Sequence, residues 1–143
     1  MSSAREAYER VVQLYNAGDL EGIVNSFTED GVLVTPDGTF EGRAAIRESS
    51  RRDIAAFPER TVTMDVIVEQ GDTIADEFTW VAVNSGPLVM PDGTELPPTG
   101  KRVEVKGMEL LRMRGEKIAA HHMYWDNMAL AGQLGLLPDS AST

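Results

Sequence analysis

His121-His122-Met123-Tyr124-Trp125-Asp126-Asn127-Met128 is the stretch on which the fold turns. It reads as the end of a β-strand, where apolar and aromatic residues accumulate around one acid, Asp126. Ala129 to Gly135 follows with the composition of a short closing helix and its stop. Under regular alternation, Asp126, Tyr124, His122 and Ala120 share one face, and His121, Met123 and Trp125 the other. Asp126 then has two readings: a carboxylate delivered into a pocket, or the N-cap of the closing helix.

Upstream, the sequence continues as strands. Arg114-Gly115-Glu116-Lys117 is a turn, and Lys101 to Arg114 is a long strand before it. Thr73 to Ser85 is another, with Phe78, Trp80, Ala82 and Asn84 on one face and Glu77, Thr79, Val81 and Val83 on the other. Thr61 to Gln70 precedes it across Gly71-Asp72, with Val62, Met64, Val66 and Val68 assigned to one face. Between Ser85 and Lys101 lies a proline-bearing loop with Pro91-Asp92-Gly93 and Pro97-Pro98, long enough to cover a pocket or to carry a small hairpin of its own.

The N-terminal third is helical. Ser3-x-x-Glu6 is a capping-box pattern. Ala7, Val11, Leu14 and Tyr15 recur at helical spacing, and Gly18 ends the run. Leu20, Ile23, Val24 and Phe27 mark a second short helix. Val32 to Thr35 and Thr39 to Glu41 form a small hairpin around Pro36-Asp37-Gly38. A third helix runs roughly from Arg43 to Phe57, stopped by Pro58. Helices first and strands later imply an α+β domain with a mostly antiparallel sheet. The domain is expected over residues 1–138, with 139–143 a disordered tail.

Composition narrows the function. The chain has 143 residues, no cysteine, two histidines and a net charge of −10. Thiolate metal sites and disulfides are excluded, and no metal centre is expected. Acidity argues against holding nucleic acid or an anionic membrane surface. The sequence shows no apolar run long enough to span a membrane and no signal-peptide core at its start, so a cytoplasmic location is expected. P-loop, Rossmann and nucleophile-elbow patterns are absent.

In order and spacing, several segments resemble the SnoaL-like polyketide cyclase family of the NTF2-like (ketosteroid isomerase-like) superfamily. They are Tyr15-Asn16-Ala17-Gly18-Asp19-Leu20-Glu21, Phe27 to Val32, Gly42-Arg43-Ala44-Ala45-Ile46, Pro97-Pro98-Thr99-Gly100-Lys101, Gly115 to Ile118, and Tyr124-Trp125-Asp126 ahead of Gln133-Leu134-Gly135. The resemblance covers nearly the whole chain. It implies a cone: a curved sheet with three N-terminal helices over its concave face, an apolar pocket, no cofactor, and a homodimer. It also implies that Asp126 is a general acid or base, and that Asn84 stands where the family often keeps a histidine.

The function expected on these grounds is cofactor-independent acid/base chemistry, an aldol-type cyclisation or an isomerisation, on a hydrophobic polyketide- or terpenoid-like small molecule. Asp126, His122 and Tyr124 are the catalytic candidates. Asn84, Trp80, Tyr15, Phe27, Glu109 and Met108 are the substrate-contact candidates, each also readable as core or structural. Two alternatives stay open: epoxide opening in the same pocket, and a non-catalytic module that binds a hydrophobic ligand or dimerises. His121, Met123 and Trp125 are assigned to an outer sheet face that meets a second subunit.

Overall fold

A computed structural model describes residues 3–137; the tail expected at 139–143 lies outside them. Helix α1 (Ala4–Ala17) starts at Ser3, whose hydroxyl accepts the Glu6 N–H while the Glu6 carboxylate accepts the Ser3 N–H. It stops at Gly18, where φ is +72°, a conformation that favours glycine. Helix α2 (Leu20–Asn25) is capped by Asp19. It ends before Phe27, which the spacing had placed on the helix and which instead opens strand β1 (Phe27–Thr35). Hairpin partner β2 (Gly38–Glu41) and helix α3 (Gly42–Ala56) follow.

The remaining strands are β3 (Glu59–Gln70), β4 (Thr73–Val83), a separate small hairpin of β5 (Leu88–Val89) and β6 (Glu95–Leu96), then β7 (Arg102–Arg114) and β8 (Lys117–Trp125). Six strands make one sheet in the order β2-β1-β8-β7-β4-β3. Only the β1–β8 pair in it is parallel. This is the α+β cone expected, with helix α4 (Asn127–Leu134) added at the C-terminal end against β7. Among the described residues no helix is long and apolar enough to cross a membrane.

Two bulges decide which side chains face the helices. On β3 the register slips between Met64 and Val66, leaving Asp65 without a cross-strand partner. Met64 points inward, opposite Phe78, whereas Val66 and Val68 face outward, 52% and 57% exposed. The expected single row of Val62, Met64, Val66 and Val68 is therefore broken in the middle. On β8 the register slips between Ile118 and Ala120, so that Ala119 is the extra residue. Because side chains alternate with period two, one extra residue inverts every later position. Ile118 faces the core, and after the slip His121, Met123 and Trp125 face it too, opposite Leu111, Glu109 and Gly107. His122, Tyr124 and Ala120 face out. The grouping expected of this strand holds but its inward and outward faces are exchanged, and His121, Met123 and Trp125 are not on an outer subunit-facing surface.

The interior packs as two apolar clusters. One gathers Tyr8, Val11, Ile23, Phe27, Leu33, Ile46, Ile74, Leu111, Met113 and Ile118. The other joins Ala56, Phe57, Ala82, Val103 and Leu134. Between them lie side chains that point inward yet stay only half-buried, among them Tyr15, Phe40, Ile54, Met64, Trp80 and Met123. They form the inward-facing surface over the middle of the sheet.

Candidate active site

The interior row of β7 reads Val103, Val105, Gly107, Glu109, Leu111, Met113, and that of β4 reads Ile74, Asp76, Phe78, Trp80, Ala82. Each row carries one acid, and the two acids are opposite: Asp76 pairs with Glu109 in register. Glu109 has both oxygens occupied. Tyr8 on α1 donates its hydroxyl to Oε2 at 2.5 Å, and His121 Nε2 lies 2.9 Å from Oε1. The His121 ring is itself held, stacked on Phe27 at 6.2 Å and edge-on to Tyr8 at 6.3 Å.

The electrostatics follow from this wiring. Burial acts to raise the Glu109 carboxyl, but the charge and hydrogen bond of His121, with help from Asp76 and Tyr8, hold it below the ordinary carboxylate value. Burial, then the charge of Glu109, pushes Asp76 up to about 9. Burial and the two neighbouring acids raise the Tyr8 phenol well above its usual range. The two carboxyls are thereby pushed in opposite directions, Glu109 down and Asp76 up. The carboxylate also fixes His121. With Nε2–H given to Glu109, Nδ1 is the ring nitrogen left for another partner.

Above this centre is a second polar group. Trp80 donates its indole N–H to the Tyr15 hydroxyl at 2.9 Å, and Tyr15 donates to Asp53 Oδ2 at 2.8 Å. Burial raises the Asp53 carboxyl. Tyr8 and Tyr15 are two helical turns apart on α1, about 10 Å along the axis. Each serves one interior carboxylate.

The other candidates are elsewhere. Asp126 is exposed and caps α4, its Oδ1 accepting the Ala129 N–H at 2.9 Å. Tyr124 and Met108 are cross-strand partners on the outer face, 58% and 57% exposed. With Asp126 they line a shallow outer groove of about 560 Å³. His122 pairs with Leu110 on that same face. Alternation groups His122 and Tyr124 with Asp126 as expected; that face was placed inside on the reading of Asp126 as a pocket acid, and it lies outside. Phe27 is core and supports His121.

Asn84 is buried and serves as a latch. Its amide donates to the Ala56 and Gly86 carbonyls, and its Oδ1 accepts the Thr99 N–H and hydroxyl. With the amide so occupied it ties both ends of the 86–99 segment to α3 and has no hydrogen-bonding group left for a substrate. Arg60, a buried guanidinium, donates to the carbonyls of Tyr15, Phe57 and Pro58 and lies 4.8 Å from the Tyr15 ring. It braces α1 and does not join the Asp76–Glu109 pair as epoxide opening would ask.

Asp76, Tyr8 and His121 were the site residues missed from the sequence. The signal for Asp76 was present: the Phe78, Trp80, Ala82 face extends back to it and places an acid on an apolar row. Tyr8 and His121 carried no such mark.

Comparison with known proteins agrees with the architecture. AclR from Streptomyces galilaeus, a candidate hydroxylase, is 26% identical with a TM-score of 0.79, covering 95% of this chain and 87% of its own. IdmH from Streptomyces antibioticus, a candidate polyketide cyclase, is 25% identical with a TM-score of 0.77, covering 94% and 99%. A hypothetical protein with a ketosteroid isomerase-like fold from Catenulispora acidiphila is 22% identical with a TM-score of 0.76, covering 92% and 94%, a likeness of fold alone. No curated protein matches the chain. The profile of the SnoaL-like domain matches residues 8–121, most of the chain, and the protein belongs to that family.

Proposed function

We propose that the protein is an acid/base enzyme of the cyclase or isomerase type, acting on a hydrophobic, oxygenated small molecule of polyketide- or terpenoid-like character. The observation that carries this reading is the His121–Glu109 contact of 2.9 Å on the interior face of the sheet. Similarity to IdmH, a candidate polyketide cyclase, points the same way.

In this reading His121 Nδ1 takes a proton from the carbon next to a carbonyl, and Glu109 stabilises the imidazolium that results. The enolate either attacks a second carbonyl of the same molecule, its alkoxide recovering the proton from His121, or is reprotonated at another carbon. The first course is an aldol-type ring closure and the second an isomerisation. Neither requires a group beyond the side chains named. The half-buried lining of Phe40, Met64, Trp80 and Met123 suits a flat apolar body.

The test is deuterium exchange beside the carbonyl of a panel of bicyclic ketones in D2O, followed by NMR. Wild type accelerates exchange, and His121→Asn or Glu109→Gln lowers the rate by about 10²–10⁴-fold. Equal rates with and without His121 would remove His121 from the chemistry and favour ligand binding alone.

We also propose that the outer sheet face makes a homodimer, with Met108, Leu110 and Tyr124 in place of the inward residues first assigned to it. Their exposure on the adjacent strands β7 and β8 supports this reading.

A further inference from the structure

Asp76 is buried, 3% exposed, and both its carboxyl oxygens lack a hydrogen-bond partner among the described residues. Its surroundings offer no cation. On β4 it is flanked by Ile74 and Phe78 along the interior row. From β3 the facing residues are Ile67, in register with it, and Met64, neither of which can be charged. From β7 it meets Glu109. From α1 comes Tyr8, whose hydroxyl is already given to Glu109. From β8 comes His121, likewise on Glu109.

Directly opposed residues of an antiparallel pair have Cβ atoms about 5 Å apart. Two ionised carboxylates at that spacing, out of water and with one donor set between them, are strongly disfavoured. The donor set decides which acid is ionised. Glu109 holds all of it, one donor per oxygen, while Asp76 holds none. A bare buried carboxylate costs far more than a neutral carboxyl in the same place.

We propose that Asp76 is a positioning residue that keeps its proton throughout turnover and so confines the pair's single negative charge to Glu109, behind His121. The proposal rests on the reading of His121 and Glu109 as the acid/base centre. It assigns Asp76 no contact with substrate. The upward push on Asp76 from burial and from Glu109 runs in the same direction. A charge at Asp76 would compete with Glu109 for Tyr8 and weaken the fixed orientation of the ring.

The experiment follows the Asp76 carboxyl carbon by NMR in protein carrying ¹³C-labelled aspartate, assigned by its loss in Asp76→Asn. The expected signal stays in the protonated range from pH 5 to pH 7, a midpoint at least about 3 pH units above the ordinary 3.9. In Glu109→Gln the midpoint falls by more than about 1 unit, because the neighbouring charge is gone. Asp76→Asn is expected to melt above wild type at pH 8, with the gap narrowing toward pH 5. An Asp76 carboxyl already ionised at pH 6 overturns the proposal, as does a midpoint unmoved in Glu109→Gln. Should Glu109→Gln not fold, the wild-type titration and the melting comparison decide. These readouts need no substrate, so they stand or fall apart from the ketone-exchange assay that tests the enzyme reading.

Discussion

Asp126 Oδ1 accepts the backbone N–H of Ala129 at 2.9 Å, closing the first turn of the terminal helix. An acid that looked like the reactive end of a strand is thereby a cap. Asp126→Asn is expected to hold stability within a few tenths of a kcal/mol, since asparagine caps equally well, and Asp126→Ala to cost about 1 kcal/mol. Urea unfolding measures both. Neither substitution touches the interior, so ketone exchange by both variants should match wild type. A loss of orders of magnitude in Asp126→Asn would move the chemistry to the outer groove.

Glu109 depends on Tyr8 as much as on His121. Tyr8→Phe keeps the ring but leaves Glu109 Oε2 without its donor, at a cost of about 1–3 kcal/mol for a buried acceptor. The pH dependence should change with it. The folded Glu109 carboxyl lies below its ordinary value, so it contributes stability above that ordinary value and loses it as pH falls through the folded one. Losing a donor brings the folded value up and shrinks this contribution. Melting curves from pH 3 to pH 7 should therefore show a shallower acid limb for Tyr8→Phe than for wild type. An unchanged limb would mean that Tyr8 adds nothing to the state of Glu109.

Much of the fold was legible because local signals agreed. The Ser3–Glu6 box, Gly18 at the helix end, Pro36-Asp37-Gly38 in its turn and the Phe78-Trp80-Ala82 row all fell where their chemistry put them. The site was less legible. On β8 no slip falls between Ala120 and Trp125, so the two faces were sorted correctly; the inward one was misassigned because Asp126 was read as entering a pocket, whereas it caps α4. On β3 a bulge, which carries no strong sequence mark, broke the expected row at Asp65. Asp76 was hidden differently: its row was read from Phe78 onward and not extended back by one position.

Asn84 anchors the 86–99 segment, and its role is testable without substrate. Its side chain makes four hydrogen bonds, to Ala56, Gly86 and twice to Thr99. Asn84→Ala leaves those buried partners unsatisfied, and a loss of about 2–4 kcal/mol is expected. Asn84→Asp fails in a specific way, since a carboxylate cannot donate to the Ala56 and Gly86 carbonyls. Limited proteolysis should cut both variants within residues 86–100 faster than wild type, with the rest of the domain intact. Cleavage no faster than wild type would show that the segment is held from elsewhere.

The outer face makes the last prediction. Met108 and Tyr124 are cross-strand partners there, with Leu110 beside them and Val66 and Val68 across the sheet. An apolar surface spread over adjacent strands is costly to leave in water, and a two-fold axis through it would pair each residue with its own copy or a neighbour. Tyr124→Glu then sets two carboxylates near each other at the centre of the contact, where they are desolvated and repel. Sedimentation velocity should show wild type as a dimer and Tyr124→Glu as a monomer at tens of micromolar. Tyr124 faces outward, so the fold of the variant, read by its melting temperature and its far-ultraviolet dichroism, should survive. A wild-type protein that sediments as a monomer at every concentration would leave the apolar face without this explanation.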